Sequence, residues 1–316
     1  MEKRFLGNSG LEVSRLCFGG LTVGPLQANL SPEEGAEIIV EAYKRGVNFI
    51  DTAELYETYA HIKEALKSIP RDKYIISTKS YAWSRETAEE SFNKACKELE
   101  TDYIDLFMLH EQESEHTLRG HADAMAYFLE RKEKGDIRAF GISTHYIAGV
   151  KAAIKIPEIQ VVHPIINKTG LGIQDGTLEE MLHALRTFKA RGGGVFGMKP
   201  LGGGNLLGNV DEAFDFVLGL DVIDSVAVGM QRVSEVIANT ARFSGDEIPH
   251  EIQSQLRTTP RRLHIDDWCI GCKACEEKCQ SNAIAIVEGK AVVDHSKCVL
   301  CAYCSAVCPE FCIKVV

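Results

Sequence analysis

From residue 13 onward, short and almost wholly apolar runs alternate with longer amphipathic stretches. The runs cover 13–19, 47–51, 74–79, 104–110, 137–143, 159–163, 194–199 and 225–229. Such brief, nearly continuous hydrophobic segments read as strands buried on both faces, as a parallel sheet requires. The stretches between them read as helices. Ser31-Pro32-Glu33-Glu34 is a capping box with proline at the first helical position, and Thr177-Leu178-Glu179-Glu180 is another. Eight strand–helix units with right-handed crossovers predict an α/β fold, a (β/α)8 TIM barrel over residues 1–243. An open doubly wound sheet is the competing arrangement. The count of eight argues against it, as does the lack of a GxGxxG fingerprint after the first run.

The last quarter of the chain breaks this rhythm. Cys269-x2-Cys272-x2-Cys275-x3-Cys279 is followed by Cys298-x2-Cys301-x2-Cys304-x3-Cys308-Pro309, one pattern written twice. It is the ligand run of bacterial ferredoxins and predicts two 4Fe-4S clusters, since a cube needs one soft ligand per iron. A zinc site would leave the third cysteine of each block without a role. The ferredoxin resemblance implies that each block gives its fourth cysteine to the other cluster. One cluster then takes Cys269, Cys272, Cys275 and Cys308; the other takes Cys298, Cys301, Cys304 and Cys279. Gln280 replaces the proline expected after the first block, which predicts a local loop difference. Ala283-Ile284-Ala285-Ile286 matches Cys312-Ile313-Lys314-Val315, so Cys312 reads as a small buried residue. Residues 261–316 are thus expected to form a small α+β ferredoxin-like domain, joined to the barrel by a linker over 244–260.

Composition narrows the function. The chain has 316 residues, 45% of them hydrophobic and 25% charged, and a net charge of −10. These are globular values for one large domain and one small one. The acidic balance speaks against nucleic acid, which needs clustered Lys and Arg. No apolar run approaches the ~20 residues of a membrane span. No leader is apparent at the start, and the thiols suit a reducing compartment, so the expected location is cytoplasmic. Cys17 and Cys96 stand alone and read as core residues.

A barrel carries its chemistry at the C-terminal ends of its strands. There the runs place Asp51, Lys79, His110 and Lys199, with Tyr56 five residues beyond Asp51. The words Phe49-Ile50-Asp51-Thr52-Ala53, Ser77-Thr78-Lys79 and Asp105-Leu106-Phe107-Met108-Leu109-His110 surround them. Over residues 4 to 243 the chain resembles the aldo-keto reductases, whose catalytic tetrad Asp51, Tyr56, Lys79 and His110 match. The resemblance implies a small-molecule carbonyl or alcohol as substrate, with Tyr56 moving the proton. Lys79, held by Asp51, is expected to lower the Tyr56 pKa, and His110 to orient the carbonyl or relay the proton. It also implies NADP(H). Ser143 and Asn167 match carboxamide contacts, while Met198, Lys199 and Leu201 follow the seventh run. Gly229, Gln231, Arg232 and Asn239 match the segment that grips the adenosine end, where Arg232 favours a 2′-phosphate.

Two positions depart from the family. Met198-Lys199 stands where an aromatic and a serine are usual, and His163 replaces a glutamine. Gly202, Gly203 and Gly204 read either as a close approach to pyrophosphate or as a plain turn. The acidic loop 110–116, with His121 beyond it, reads as a solvated wall of the substrate pocket, a metal site being the sharper alternative. A hydride carries two electrons and a 4Fe-4S cluster passes one, so three functions stand open. The first is an NADP(H)-dependent reductase whose clusters relay single electrons to or from a redox partner protein, or are structural. The second is a reductase fed by the clusters alone. The third is an electron-transfer subunit with an idle barrel. Residues 244 to 262, extended, reach about 60 Å, so the ferredoxin unit is free to sit over the active site or far below it.

Overall fold

The computed structural model describes residues 1–258 and 260–316. Eight parallel strands close into a barrel, each hydrogen-bonded to the next in sequence and the eighth to the first. They are β1 (Leu16–Gly19), β2 (Phe49–Asp51), β3 (Ile75–Ser80), β4 (Ile104–Leu109), β5 (Ile137–Thr144), β6 (Val161–Pro164), β7 (Gly194–Met198) and β8 (Ser225–Gly229). One principal outer helix follows each: α1 (Pro32–Lys44), α2 (Tyr59–Leu66), α3 (Arg85–Leu99), α4 (Ala122–Lys134), α5 (Ile147–Ile154), α6 (Leu178–Ala190), α7 (Val210–Leu218) and α8 (Val233–Ser244). The capping boxes begin α1 and α6. Ser31 Oγ accepts from Glu34 N at 3.2 Å, and Thr177 Oγ1 from Glu180 N at 3.2 Å.

The strands are buried along both faces, as the unbroken apolar runs foretold. Their outer side chains meet the helices in the main core. Inside, Cys17, Phe49, Ile75, Leu106, Met108, Val161 and Phe196 fill the barrel. The first run splits. Glu12–Ser14 pairs with Lys3–Phe5 in a hairpin, and the chain turns at Arg15 before β1 begins. The buried Arg15 guanidinium donates to the carbonyls of Ile223 and Leu218, which anchors the break. Leu6, Leu11 and Val13 from this hairpin join the interior cluster and close the barrel floor.

After α8 comes α9 (His250–Thr258), a helix within the stretch expected as linker. The C-terminal unit then forms from β9 (Leu263–Ile265), α10 (Ala274–Lys278), β10 (Ile284–Val287), β11 (Lys290–Val293) and β12 (Ile313–Val315). β9 pairs with β12 and β10 with β11, both antiparallel.

This unit sits on the catalytic face of the barrel. Val315 N donates to Gly203 O at 2.9 Å, Asn205 Nδ2 to Ile313 O at 3.3 Å, and Ser305 Oγ to Asn205 Oδ1 at 2.7 Å. Phe311 is 2% exposed and packs within the main barrel core. Gly202, Gly203 and Gly204 form a turn. They run at φ 57°, 64° and 87°, and a Cβ on Gly204 would fall 1.9 Å from Val315 O. Their left-handed backbone and missing side chains let β12 approach.

Candidate active site

Sequence neighbours carry the site to one place because strands 2, 3 and 4 lie side by side. Asp51 ends β2, Lys79 lies near the end of β3, and His110 follows β4 directly. Tyr56 ends a short 3-10 turn just beyond β2, Glu54–Tyr56.

Lys79 is fully buried. Its ammonium donates to Asp51 Oδ1 at 2.9 Å, Asp51 Oδ2 at 2.8 Å and Thr52 O at 2.7 Å. Burial pushes the Asp51 pKa up, but Lys79 and then His163 more than offset this and hold the carboxyl well below its usual range. The Lys79 ammonium lies 4.7 Å from the centre of the Tyr56 ring.

The expected lowering of the Tyr56 pKa is not found. Burial raises it well above the ordinary phenol value, and the negative charges of Asp51 and Glu111 add to the rise. The reason is geometric. The three Lys79 donors are engaged with Asp51 and Thr52, so its charge is balanced at contact.

His110 stands beside Tyr56, ring centres 5.6 Å apart, and Tyr81 stacks on it at 4.5 Å. Tyr81 is fixed by a 2.6 Å hydrogen bond to Glu111. Burial, then Lys79, drives the His110 pKa well down, so the imidazole is neutral; its Nδ1 is buried without a partner. His163 completes the set. Its Nε2 lies 3.5 Å from Asp51 and its ring stacks 3.8 Å from Phe196. It thus acts from inside the barrel, on the carboxylate.

Lys79 lies buried behind Asp51; Asp51, Tyr56, Tyr81, His110 and His163 line a cavity of about 1110 Å³ that runs beneath the C-terminal unit. Met198, Lys199, Leu201, Gly229, Gln231 and Asn239 line it too, as do Arg242, Arg257 and Arg261. Three residues matched to the nicotinamide cofactor do not. Ser143 Oγ accepts from Glu111 N at 2.9 Å. The Asn167 side chain ties its own loop, donating to Leu171 O and accepting from Thr169 and Leu171. Arg232 is exposed at the N-terminus of α8. Arg242, Arg257 of the linker and Arg261 just beyond it stand at the cavity instead. Arg261 also meets Glu235 at 3.3 Å. Sequence reasoning missed these, along with Tyr81, His145, Phe311 and Lys314. No motif spacing marks a contact between domains.

In the acidic loop, Glu111 and Glu113 line the cavity. His121 Nδ1 meets Thr117 O at 2.7 Å, within a local turn. Among the described residues no three His, Cys, Asp or Glu side chains converge as the ligands of a single metal ion.

The eight repeated cysteines fall into two sets. Cys269, Cys272, Cys275 and Cys308 line one small cavity with Ile270, Ala291 and Ile313. Cys279, Cys298, Cys301 and Cys304 line a second with Leu263, Ile284 and Leu300. In each set, four thiols surround a space instead of meeting at a point. That suits a cube with an iron at each corner better than one tetrahedral zinc. Backbone amides face the sulfurs: Ala291 N to Cys269 Sγ at 3.5 Å and Ala283 N to Cys279 Sγ at 3.2 Å. The Gln280 substitution does not alter the turn. Asn282 N donates to Cys279 O and Phe311 N to Cys308 O, both at 3.2 Å, and both residues take positive φ. Cys312, like its counterpart Ala283, is 2% exposed; it touches Cys308 at 3.4 Å between sulfurs.

Comparison with known proteins agrees with this geometry. The aldo/keto reductase family model matches residues 15–231, and a 4Fe-4S dicluster domain matches 268–312. L-galactose dehydrogenase of Arabidopsis thaliana is 27% identical over 65% of this chain and 67% of its own length. The NADH-specific methylglyoxal reductase of Escherichia coli is 26% identical over 51% of this chain and 58% of its own. The chain therefore spans little more than half of the latter. A solved aldo-keto reductase from Bacillus halodurans, 25% identical, superposes with a TM-score of 0.63 over 81% of this chain and 95% of its own. No helix among the described residues is long and apolar enough to cross a membrane.

Proposed function

The chain belongs to the aldo/keto reductase family and carries a 4Fe-4S dicluster domain; from that premise we propose that it interconverts a small carbonyl compound and its alcohol with NADP(H) lying along the elongated cavity. One observation carries this reading. Tyr56, Asp51 and His110, with Lys79 buried behind them on Asp51, line the same cavity as Gly229, Gln231, Asn239 and Arg242. Its volume suits a dinucleotide.

When bound, the nicotinamide supplies or accepts hydride. The chain's own residues manage the proton and the geometry. Tyr56 holds its proton through the neutral range and gives it to the nascent alkoxide oxygen. Asp51, itself met by His163, fixes Lys79 against the Tyr56 ring. Neutral His110, braced by Tyr81, orients the carbonyl.

We assign the first cluster to Cys269, Cys272, Cys275 and Cys308 and the second to Cys298, Cys301, Cys304 and Cys279. The converging thiols and the amides facing them support both sets. When loaded, the clusters pass single electrons to or from a redox partner. We divide the chain into a barrel (1–243), a linker (244–260) and a ferredoxin unit (261–316), and place it in the cytoplasm, where thiols stay reduced.

The raised Tyr56 pKa sets a pH dependence. The phenol is the proton-donating form below its pKa, so reduction should be flat from about pH 6 to 8, whereas oxidation, which needs the phenolate, should rise with pH across that range. Initial rates in both directions against pH check this; an oxidation rate flat above pH 7 would contradict the assignment.

A second reading is favoured by Met198-Lys199 at the end of β7 and by the glycine turn beneath β12. In it the clusters alone deliver electrons and Tyr56 delivers protons. Anaerobic titration with NADPH, followed by fluorescence and cluster absorbance, separates the two. Saturable binding is the expected result, with cluster bleaching if the halves are electronically coupled. Absence of binding would move the conclusion to the second reading.

A further inference from the structure

The cavity holds a cation that proton transfer does not use. Lys199 directly follows β7 with a left-handed backbone, φ 57°. Its amine lies 3.0 Å from His145 Nε2 and 4.8 Å from the centre of the Phe311 ring. Among the described residues no carboxylate stands within 4.0 Å of it. From the other side Lys314 of the ferredoxin unit lies 3.9 Å from the same ring, balanced by Asp266 at 3.6 Å.

Lys199 is therefore enclosed by both domains, open to the cavity and, among the described residues, without a carboxylate in contact. Burial, then Lys314, brings its pKa down to about 7. His145 adds no second positive charge, since burial and then Lys199 hold its imidazole neutral. An entering oxyanion would supply the missing acceptor and relieve the repulsion between the two amines. The amine lines the same cavity as Tyr56 and His110. His110 feels its charge, and it in turn feels Glu111 and Lys79.

We propose that Lys199, with Lys314 behind it, receives a carboxylate of the substrate, so that the enzyme acts on carbonyl compounds bearing an acid group, such as 2-oxo acids, and on the matching hydroxy acids. This rests on the carbonyl–alcohol reading and narrows its substrate class.

Calorimetric titration of the anaerobic, cluster-loaded protein with pyruvate and with butane-2,3-dione tests it. The dione replaces the carboxylate by an acetyl group of similar shape. Pyruvate is expected to bind more tightly than the dione by about tenfold or more, the range of one charge-assisted hydrogen bond. Lys199→Met should remove that advantage and leave dione binding within about twofold; Lys199→Arg should restore most of it. Circular dichroism and cluster absorbance check that both variants fold. Equal binding of the two probes to the wild type, or no pyruvate binding at all, would overturn the proposal. So would a loss in Lys199→Met confined to NADPH and inorganic pyrophosphate, which would make the lysine a cofactor-phosphate ligand. Because the readout is binding, failure of the proton-transfer reading shows separately, in the turnover of Tyr56 variants.

Discussion

Tyr56→Phe is expected to lower carbonyl reduction by about 10²–10⁴-fold, the usual contribution of a general acid, while iron content and NADPH binding stay unchanged. Phenylalanine keeps the ring that lies against Lys79 and His110, so the packing survives and only the proton is lost. The effect should fall on kcat more than on KM, because the hydroxyl acts on charge that develops during reaction. Steady-state kinetics beside metal analysis checks this. Retained turnover would remove Tyr56 from the mechanism and shift attention to His110, whose ring stands beside it.

Cys275→Ala is expected to empty one cluster and spare the other. Iron per chain should fall by about half, and the visible absorbance with it. Cys275 is 6% exposed and lies in the ferredoxin unit's own small core with Cys269 and Cys312, so local order should be lost with the metal. The barrel's two cores take only Phe311 from that unit, so the barrel should keep its helical circular dichroism. NADPH affinity should nevertheless weaken, because Phe311, Lys314 and Val315 line the cavity. Iron analysis, circular dichroism and NADPH titration of the same sample test the three parts. Full iron retention would show that Cys275 is no ligand.

What the sequence made legible follows from what is local. Strands buried on both faces announce themselves as unbroken apolar runs, so eight strands in order were readable. Three of the four tetrad positions lie at or beside a strand end, where a barrel must present them. The break at Arg15 was hidden, because that buried arginine finds its partners more than two hundred residues away, at Leu218 and Ile223. Ser143 and Asn167 were matched by position, yet their polar atoms face neighbouring loops, and position alone does not tell which way a hydrogen bond runs. The shift at Tyr56 was misread because proximity of a cation was taken as net charge. Asp51, at 2.8 Å from Lys79, cancels most of it. The seat of the ferredoxin unit was beyond reach altogether, since a linker of that length restricts nothing.

Phe311 lies among the barrel's own apolar side chains, only three residues past Cys308. The two halves therefore share an interior, and evolution cannot treat them as a reductase with a detachable accessory. A side chain at Gly204 would strike the Val315 backbone, and one at Gly172 the Phe311 ring, so a substitution on the barrel loop would unseat the second half as surely as one within it.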